Sequence, residues 1–483
     1  MPLGPTVSSL PLKGLQSPSK LSSRLQLSKR YLKTRPSLLV AAKHGHDKLS
    51  NSDYSKTLED FNLEKNLKHI EHVKKTFLPQ VRKLRLQNLR KYLMKYNCSA
   101  GLFHDPCHIR YACDASNMTI WHKRNQVRYL LVPATENDPV ILFESLFIDK
   151  DGVEPLLGET INKLEPNIIT TYSSTGTNMF KNIEQWADQI DSHLQPIVRN
   201  STFGNNIAVQ GGDPLQAFAL EKKGYILKSG QQVIEHARSI KVENEIELIK
   251  AGIQSTADAV AYLHSHIGPG ITENALWAKL HEYNIAVGGE YIETRLLNSG
   301  MRTSPWMQES STKIVENGEL VALDVDCTGP FGYFIDFSRT WLCSSTKLNK
   351  QDTNDKRLTK QRDLHKYAKE QMEYNMSICK AGMSFRELSE KCWKIPNRFS
   401  PLRYGLLAHG NGINGEYPYI YHDIDFEACG YDGEIQENMT LSFEAFIAED
   451  QKDGVKLEEH CLISTEKGVE NLSYMVPFCD HLS

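Results

Sequence analysis

The chain has 483 residues, of which 40% are hydrophobic and 24% are charged, and its formal net charge is −3. This length leaves room for two or three domains with buried cores. The near-neutral charge gives no indication of nucleic-acid binding, and no apolar run is long enough to predict a membrane span. The ten cysteines form no Cys-x-x-Cys pair, which favours reduced thiols in a reducing compartment.

Residues 1–46 differ in composition from the rest of the chain. They contain eight Lys or Arg, eight Ser and no Asp or Glu. This composition is typical of a mitochondrial or plastid transit peptide. The alternative is a basic tail without a targeting role, and the protein is then expected in the cytoplasm.

Residues 47–235 are predicted to form a helical lead-in followed by a smaller α/β domain. Up to Met94, apolar residues recur at three- and four-residue steps, which indicates helix. Short apolar strands then alternate with helices, among them an amphipathic segment from Met179 to Leu194. This part of the chain shows no chemical motif.

Residues 236–483 are predicted to form a second domain that carries the chemistry. A helical stripe from Ile246 to Leu263 ends before Gly268-Pro-Gly270, and a further helix is expected from Glu273 to Ala286. Two apolar strands then flank a turn at residues 329–332, which predicts a hairpin.

This hairpin carries three aspartates among apolar residues. Asp324 and Asp326 are two residues apart, so on a strand their carboxylates leave the same face, and Asp336 on the returning strand can face them. Carboxylates that share a buried face repel one another and lose solvation, which is costly unless cations compensate. A buried metal site is therefore favoured over a solvated strand face.

Three more residues match the same chemistry. His409 follows an apolar run and precedes glycines, while Glu444 and Glu458 lie within apolar strands. Two divalent cations would neutralise the charge of four carboxylates, and one imidazole completes a binuclear site. Mixed oxygen and nitrogen ligands suit iron, manganese, cobalt, nickel or zinc.

The order and spacing of Asp324, Asp336, His409, Glu444 and Glu458 resemble the pita-bread superfamily of creatinase, prolidase, aminopeptidase P and methionine aminopeptidase. The resemblance implies an α+β protein, with a C-terminal pita-bread catalytic domain preceded by a smaller α/β creatinase-type domain. It also implies two divalent metal ions per chain and a homodimer.

A narrower resemblance is to the DddP-type dimethylsulfoniopropionate lyases. The segments 294–306, 324–326, 335–341, 404–409 and 454–458 all look like that branch. It implies that Asp326 is a sixth metal ligand, that Tyr404 serves the active site, and that the substrate is a small molecule with a carboxylate. The implied reaction is a β-elimination that gives dimethyl sulfide and acrylate, with no nucleic-acid or membrane partner.

Two other functions remain open. A metallopeptidase of the prolidase or aminopeptidase P kind is the main alternative, although peptidase members use additional histidines. Here no histidine lies between His281 and His365, and the seventh residue after His409 is Glu416. A non-catalytic binding member is disfavoured, because such members usually lose ligands.

The base and the cation-binding groups are predicted separately. The lyases have an aspartate six residues after the metal histidine, where this chain has Gly415, so Glu416 is the replacement candidate and Asp423 a weaker one. Alternatively, Glu416 only orients His409 or a helix end. Aromatic faces should surround a sulfonium group, and Trp306, Tyr404 and Tyr417 are the candidates.

Overall fold

The computed structural model describes residues 56–145, 153–168, 175–344 and 355–482. The basic segment 1–46 lies outside these residues, so its targeting role stays a prediction. Across the described ranges, no helix has both the length and the apolarity needed to cross a bilayer.

The N-terminal part begins with two helices and continues into a six-stranded sheet with strand order β4-β3-β2-β1-β5-β6. Its pairing is mixed, because β2 is antiparallel to both neighbours while β1–β5, β5–β6 and β3–β4 are parallel. The strands are β1 Ala100–Phe103, β2 Tyr129–Pro133, β3 Ile141–Glu144, β4 Lys163–Pro166, β5 Asn206–Gln210 and β6 Ile226–Ser229. The helices are α1 Leu63–Thr76, α2 Leu78–Lys95, α3 Pro106–Cys113, α4 Thr119–Arg124, α5 Met179–Asn200, α6 Pro214–Lys222 and α7 Gly230–Ser239.

Helix α5 shows how the sequence pattern produces this part of the fold. Within the predicted amphipathic segment, Trp186, Ile190 and Leu194 are buried in one core with residues of the sheet, and Ile183 on the same side of the helix is buried as well. The predicted domain boundary at 235/236 falls inside α7, so the two predicted domains are joined by a continuous helix. The division itself stays a prediction.

The C-terminal part contains two three-stranded sheets, with orders β11-β10-β7 and β12-β9-β8, and a five-stranded sheet with order β14-β13-β15-β16-β17. The strands are β7 Tyr291–Ile292, β8 Leu297–Ser299, β9 Leu320–Asp324, β10 Cys327–Thr328, β11 Phe334–Ile335, β12 Ser338–Leu342, β13 Leu406–Asn411, β14 Gly415–Tyr421, β15 Thr440–Ala448, β16 Gly454–Ser464 and β17 Gly468–Asn471. The helices are α8 Glu245–His264, α9 Glu273–Ala286, α10 Lys356–Ile378, α11 Phe385–Lys391 and α12 Asp423–Cys429.

Side-chain hydrogen bonds join β12 of a three-stranded sheet to β16 of the five-stranded sheet. Thr340 Oγ1 donates to the carbonyl of Lys456 at 2.8 Å, and the Arg339 guanidinium donates to the carbonyl of Glu458 at 2.8 Å. Because all these groups are buried, each needs its partner, and the two sheets are held in a fixed register.

Candidate metal centre

The predicted aspartate hairpin is present, but its strands change sheet at the aspartates. Strands β9 and β12 pair antiparallel with Asp324 opposite Ser338, and the chain then continues into β10 and β11 of a different sheet. Asp326 lies at the break with φ of 39°, a left-handed conformation that aspartate tolerates better than most residues. Asp336 occupies the matching break between β11 and β12. The carboxylates therefore meet at a junction of two sheets rather than on one regular strand face.

The other three predicted residues come from the five-stranded sheet. His409 lies on β13, and Glu444 on β15 is directly opposite Glu458 on β16. Cross-strand partners on one face have adjacent side chains, so this register places two carboxylates side by side. Like the three aspartates, these residues are buried, with exposed fractions between 0% and 8%.

The structure brings all six side chains into one carboxylate cluster. Ligand atoms of Asp336, His409 and Glu458 lie within 4.8 Å of one another, and so do those of Asp324, Asp326 and Asp336. His409 Nε2 lies 3.2 Å from Asp336 Oδ2, 3.3 Å from Glu458 Oε1 and 3.6 Å from Glu444 Oε1. Because Asp336 belongs to both groups, two adjacent ions could share it.

A buried lysine, Lys456, lies against the same cluster and was missed in the sequence. Its Nζ is 2.7 Å from Glu458 Oε2, 2.9 Å from Glu444 Oε2 and 3.5 Å from Asp324 Oδ2. The spacing of Lys456 and Glu458 indicates this contact. Residues two apart on a strand such as β16 have side chains on the same face, so the Lys456 and Glu458 side chains lie side by side.

Burial and mutual repulsion change the pKa of these groups. Burial raises the pKa of Glu444 to about 7, and burial together with neighbouring carboxylates raises the pKa of Asp326 and Asp336 well above the usual range. Burial opposes protonation of His409, but its carboxylate partners outweigh that effect and raise its pKa. For Glu458, Lys456 and His409 outweigh burial and lower the pKa. Without ions from outside the chain, the ionised forms of Glu444, Asp326 and Asp336 are therefore disfavoured.

The donor set fits divalent cations. Asp336 Oδ1 and Glu444 Oε1 are buried and accept no hydrogen bond from a described residue. Such orphaned carboxylate oxygens are costly unless a cation is bound. Carboxylate oxygens with one imidazole nitrogen are ligands of iron, manganese, cobalt, nickel and zinc.

Two of the three predicted aromatic residues lie at the cluster. The ring centroids of Trp306 and Tyr404 are 5.4 Å and 5.8 Å from Lys456 Nζ, and both rings belong to a small apolar group beside the cluster. Burial raises the pKa of Tyr404, with a further contribution from Glu444, so its hydroxyl stays protonated and can donate a hydrogen bond.

Tyr417, the third predicted aromatic residue, packs elsewhere, 4.6 Å from the ring of His236. Tyr419, rather than Tyr417, stacks on the ring of His409, with 5.9 Å between the ring centroids. Tyr419 is 38% exposed. The pairing of β13 with β14 is irregular, since the register shifts between Leu406 and Ala408 and again between His409 and Gly410. These irregularities decide which β14 residue faces His409, and no residue pattern in this segment predicts them.

The structure does not bring Glu416 into the cluster. Its Oε2 accepts a hydrogen bond from Arg238 Nε at 2.9 Å and lies 2.8 Å from Arg238 Nη2, and its Oε1 accepts a hydrogen bond from Lys241 at 2.5 Å. Both oxygens are thus held by buried cations, which favours the structural alternative over the role of base. Asp423, the weaker candidate, pairs with Lys394 at 2.7 Å.

Comparison of the sequence with known proteins finds a metallopeptidase family, two lyases and a dipeptidase that resemble this chain. A model of metallopeptidase family M24 matches residues 247–465. The chain is 30% identical over 408 residues to the dimethylsulfoniopropionate lyase DddP of Roseobacter denitrificans, covering 82% of this chain and 86% of that protein. The protein of the same name from Roseovarius nubinhibens is equally similar. An Xaa-Pro dipeptidase of Pyrococcus furiosus is 27% identical over 252 residues, which are 51% of this chain and 66% of that protein.

Solved structures share the fold. The prolidase of Pyrococcus horikoshii superposes with a TM-score of 0.58 at 20% identity, over 80% of this chain and 97% of its own. The X-Pro aminopeptidase of Thermotoga maritima gives a TM-score of 0.61 at 18% identity, over 81% and 98%. The predicted fold class, α+β with a pita-bread domain preceded by a smaller α/β domain, is confirmed.

Proposed function

Since the chain belongs to metallopeptidase family M24, the pita-bread metalloenzymes, we propose that it is a metal-dependent lyase. The proposed substrate is dimethylsulfoniopropionate or a related sulfonium or betaine acid. The observation that carries this proposal is the extent of similarity to two dimethylsulfoniopropionate lyases. That alignment, at 408 residues, is longer than the predicted catalytic domain, whereas the dipeptidase alignment covers about half of the chain.

The carboxylate cluster would hold two divalent cations. The candidate ligands would be the carboxylates of Asp324, Asp326, Asp336, Glu444 and Glu458 and the imidazole of His409, and Asp336 belongs to both of the compact groups that the structure brings together. When bound, the cations act as Lewis acids that neutralise a substrate carboxylate and make the adjacent C–H bond more acidic. This donor set makes the iron, manganese, cobalt, nickel and zinc ions the candidates.

The reaction is a β-elimination. A base takes the proton from the carbon next to the carboxylate, and the electrons of that C–H bond form the new C=C bond. The C–S bond breaks at the same time, and its electron pair leaves with the sulfur. Acrylate and neutral dimethyl sulfide are the products, so no oxidant or reductant is needed.

The chain's own residues bind and orient the substrate. The hydroxyl of Tyr404 is protonated and lies near Glu444, so it is placed to donate a hydrogen bond to the substrate carboxylate. Tyr419 is partly exposed and stacks on His409, so it can contact a substrate that approaches from this side.

A metallopeptidase that acts on X–Pro bonds is the second candidate. It is supported by the M24 family model and by the fold shared with prolidases. Two features of the chain oppose it. No histidine occurs between His281 and His365, and the residue seven positions after His409 is Glu416, which is bound by Arg238 and Lys241.

A side-by-side assay tests the proposal. Metal-loaded protein is incubated with dimethylsulfoniopropionate and, separately, with an X–Pro dipeptide, and dimethyl sulfide and free proline are measured. We expect dimethyl sulfide from the first mixture and no proline from the second, with both signals absent in Asp336→Asn. Proline release without dimethyl sulfide would replace the lyase with the peptidase.

A further inference from the structure

We propose that Lys456 is a positioning residue that serves as the fixed cation of the centre. In this role it holds the carboxylates together before divalent cations bind. The inference depends on the proposed function only in that the centre takes divalent cations, and it is independent of the substrate and the reaction.

The contacts of Lys456 reach across the whole cluster. Its ammonium group contacts Glu444, Glu458 and Asp324, which come from β15, β16 and β9. It also donates a hydrogen bond to Ser338 Oγ at 3.0 Å, and Ser338 Oγ lies 2.7 Å from Asp324 Oδ1. One side chain therefore connects strands of two different sheets at the point where their carboxylates meet.

Lys456 occupies only one side of the two glutamates. Glu444 and Glu458 turn their Oε2 atoms toward Lys456 and their Oε1 atoms toward His409. The Oε1 atom of Glu444 accepts no hydrogen bond from a described residue, so it remains available to an ion on the His409 side. Lys456 thus orients these ligands without using all of their oxygens.

Lys456 is fully buried beside two aromatic rings, so it does not act as a surface charge. It is 0% exposed, and the rings of Trp306 and Tyr404 lie 5.4 Å and 5.8 Å from its ammonium group. Two aromatic faces stabilise a desolvated cation. These rings, predicted to surround a cationic substrate, therefore already face a cation of the protein.

The charges of the centre balance only when Lys456 is included. The cluster has five carboxylates, at positions 324, 326, 336, 444 and 458. Two divalent cations neutralise four of them, and Lys456 supplies the remaining positive charge. Without bound cations, Lys456 and a protonated His409 are the positive groups in contact with these carboxylates, so removal of Lys456 should be most costly in that state.

The chain offers a matched control in Lys241. This lysine is also buried and pairs with a buried carboxylate, Glu416, at 2.5 Å. Glu416 already has its own cations and lies outside the carboxylate cluster. Loss of Lys241 should therefore destabilise the metal-loaded and the chelated protein equally.

The experiment measures thermal unfolding of the full chain, after chelation and after addition of excess Mn²⁺, for wild type, Lys456→Met, Lys456→Arg and Lys241→Met. All variants are purified with Mn²⁺. We expect the Mn²⁺-dependent rise in Tm to be about 5–10 °C larger in Lys456→Met than in wild type. Lys456→Arg should restore the wild-type difference, and Lys241→Met should leave that difference unchanged.

The possible results distinguish a failure of the inference about Lys456 from a failure of the proposed metal centre. Unfolding of Lys456→Met on chelation would support the inference, and Lys456→Gln replaces it if the methionine variant does not fold with Mn²⁺. A Mn²⁺-dependent rise in Tm that is equal in wild type and Lys456→Met would overturn the inference and leave the metal centre intact. No rise in any variant, wild type included, would overturn the metal centre itself.

Discussion

Two buried acidic regions of this protein differ in how their charge is compensated. Glu416 is bound by Arg238 and Lys241, so its charge is neutralised within the chain. The carboxylate cluster gathers five acidic side chains around Lys456 and His409. Both regions are buried to a similar degree, so burial alone does not distinguish them.

The comparison teaches that charge balance, not the presence of a buried acid, indicates a metal site. A buried carboxylate with two cations of its own is a structural ion pair. A buried group of carboxylates with too few cations needs ions from outside the chain. A change in one of the two regions should therefore leave the other unaffected.

The largest expected effect is on turnover when the shared ligand is removed. Asp336→Asn keeps the size of the side chain but removes a charge common to both groups of ligands. We expect lyase turnover to fall roughly 10³-fold, because metal ions contribute several kcal/mol to such reactions. Elemental analysis should show loss of metal, while the chelated protein should be at least as stable as wild type, since repulsion is relieved. Full metal content in this variant would contradict the assignment of Asp336.

The second prediction concerns the other region. Glu416→Gln removes the carboxylate that pairs with both Arg238 and Lys241, and leaves Arg238 only its longer ion pair with Glu235, at 3.7 Å, among the described residues, so we expect the free energy of unfolding to fall by about 3–5 kcal/mol. Metal content per folded chain should not change, because Glu416 lies outside the carboxylate cluster. Urea denaturation and elemental analysis measure the two quantities. A stable Glu416→Gln variant that has lost its activity would restore Glu416 as the base.

The third prediction is the pH dependence of the chelated protein. Because burial raises the pKa of Glu444 from 4.5 to about 7, the folded chain binds this proton more tightly than the unfolded chain. Acidification from about pH 8 to about pH 5 should therefore stabilise wild type relative to Glu444→Gln, by up to about 3 kcal/mol. The difference from Glu444→Gln is the quantity compared, because buried histidines such as His104 and His422 have a lowered pKa and destabilise both proteins on acidification. Below that range the lowered pKa of Glu458 acts in the opposite direction.

With excess Mn²⁺ the trend should reverse, because protons compete with the metal for the same carboxylates. Urea denaturation at several pH values, with and without Mn²⁺, measures both trends. A stability difference between wild type and Glu444→Gln that does not change between about pH 8 and about pH 5 would show that the pKa of Glu444 is not raised in the chelated protein.

The smallest expected effect separates two tyrosines. Tyr404 lies at the carboxylate cluster and Tyr417 packs on His236. Tyr404→Phe should reduce turnover roughly 10–30-fold, which corresponds to one hydrogen bond to a charged group, and should leave metal content unchanged. Tyr417→Phe is the matched control and should retain turnover within about twofold of wild type. Equal losses in both variants would remove Tyr404 from the site.

The sequence predicted those parts of the site that depend on local pattern. Acidic residues inside apolar strands identified Asp336, Glu444 and Glu458, because burial of an unpaired charge is costly wherever it occurs. Lys456 carried the same kind of signal, a charge two residues before Glu458 on the same strand face. Lys456 was not predicted as part of the site, although its two-residue spacing from Glu458 can be read from the sequence.

Two predicted site residues, Glu416 and Tyr417, lie outside the carboxylate cluster because of contacts that are distant in the sequence. The partners of Glu416 are 178 and 175 residues away, so nothing near it showed that its charge was compensated. Tyr419 replaces Tyr417 beside His409 because of bulges in the β13–β14 pairing, which have no sequence signal here. Local pattern thus predicted the charges, and only the fold determined which of them remained uncompensated.

The most direct test of this account is the number of divalent metal ions per chain, measured by elemental analysis of protein loaded with Mn²⁺ and freed of excess metal. Five carboxylates and Lys456 together predict two ions per chain in wild type and a loss of metal in Asp336→Asn. A wild-type protein that retains no Mn²⁺ would contradict the account.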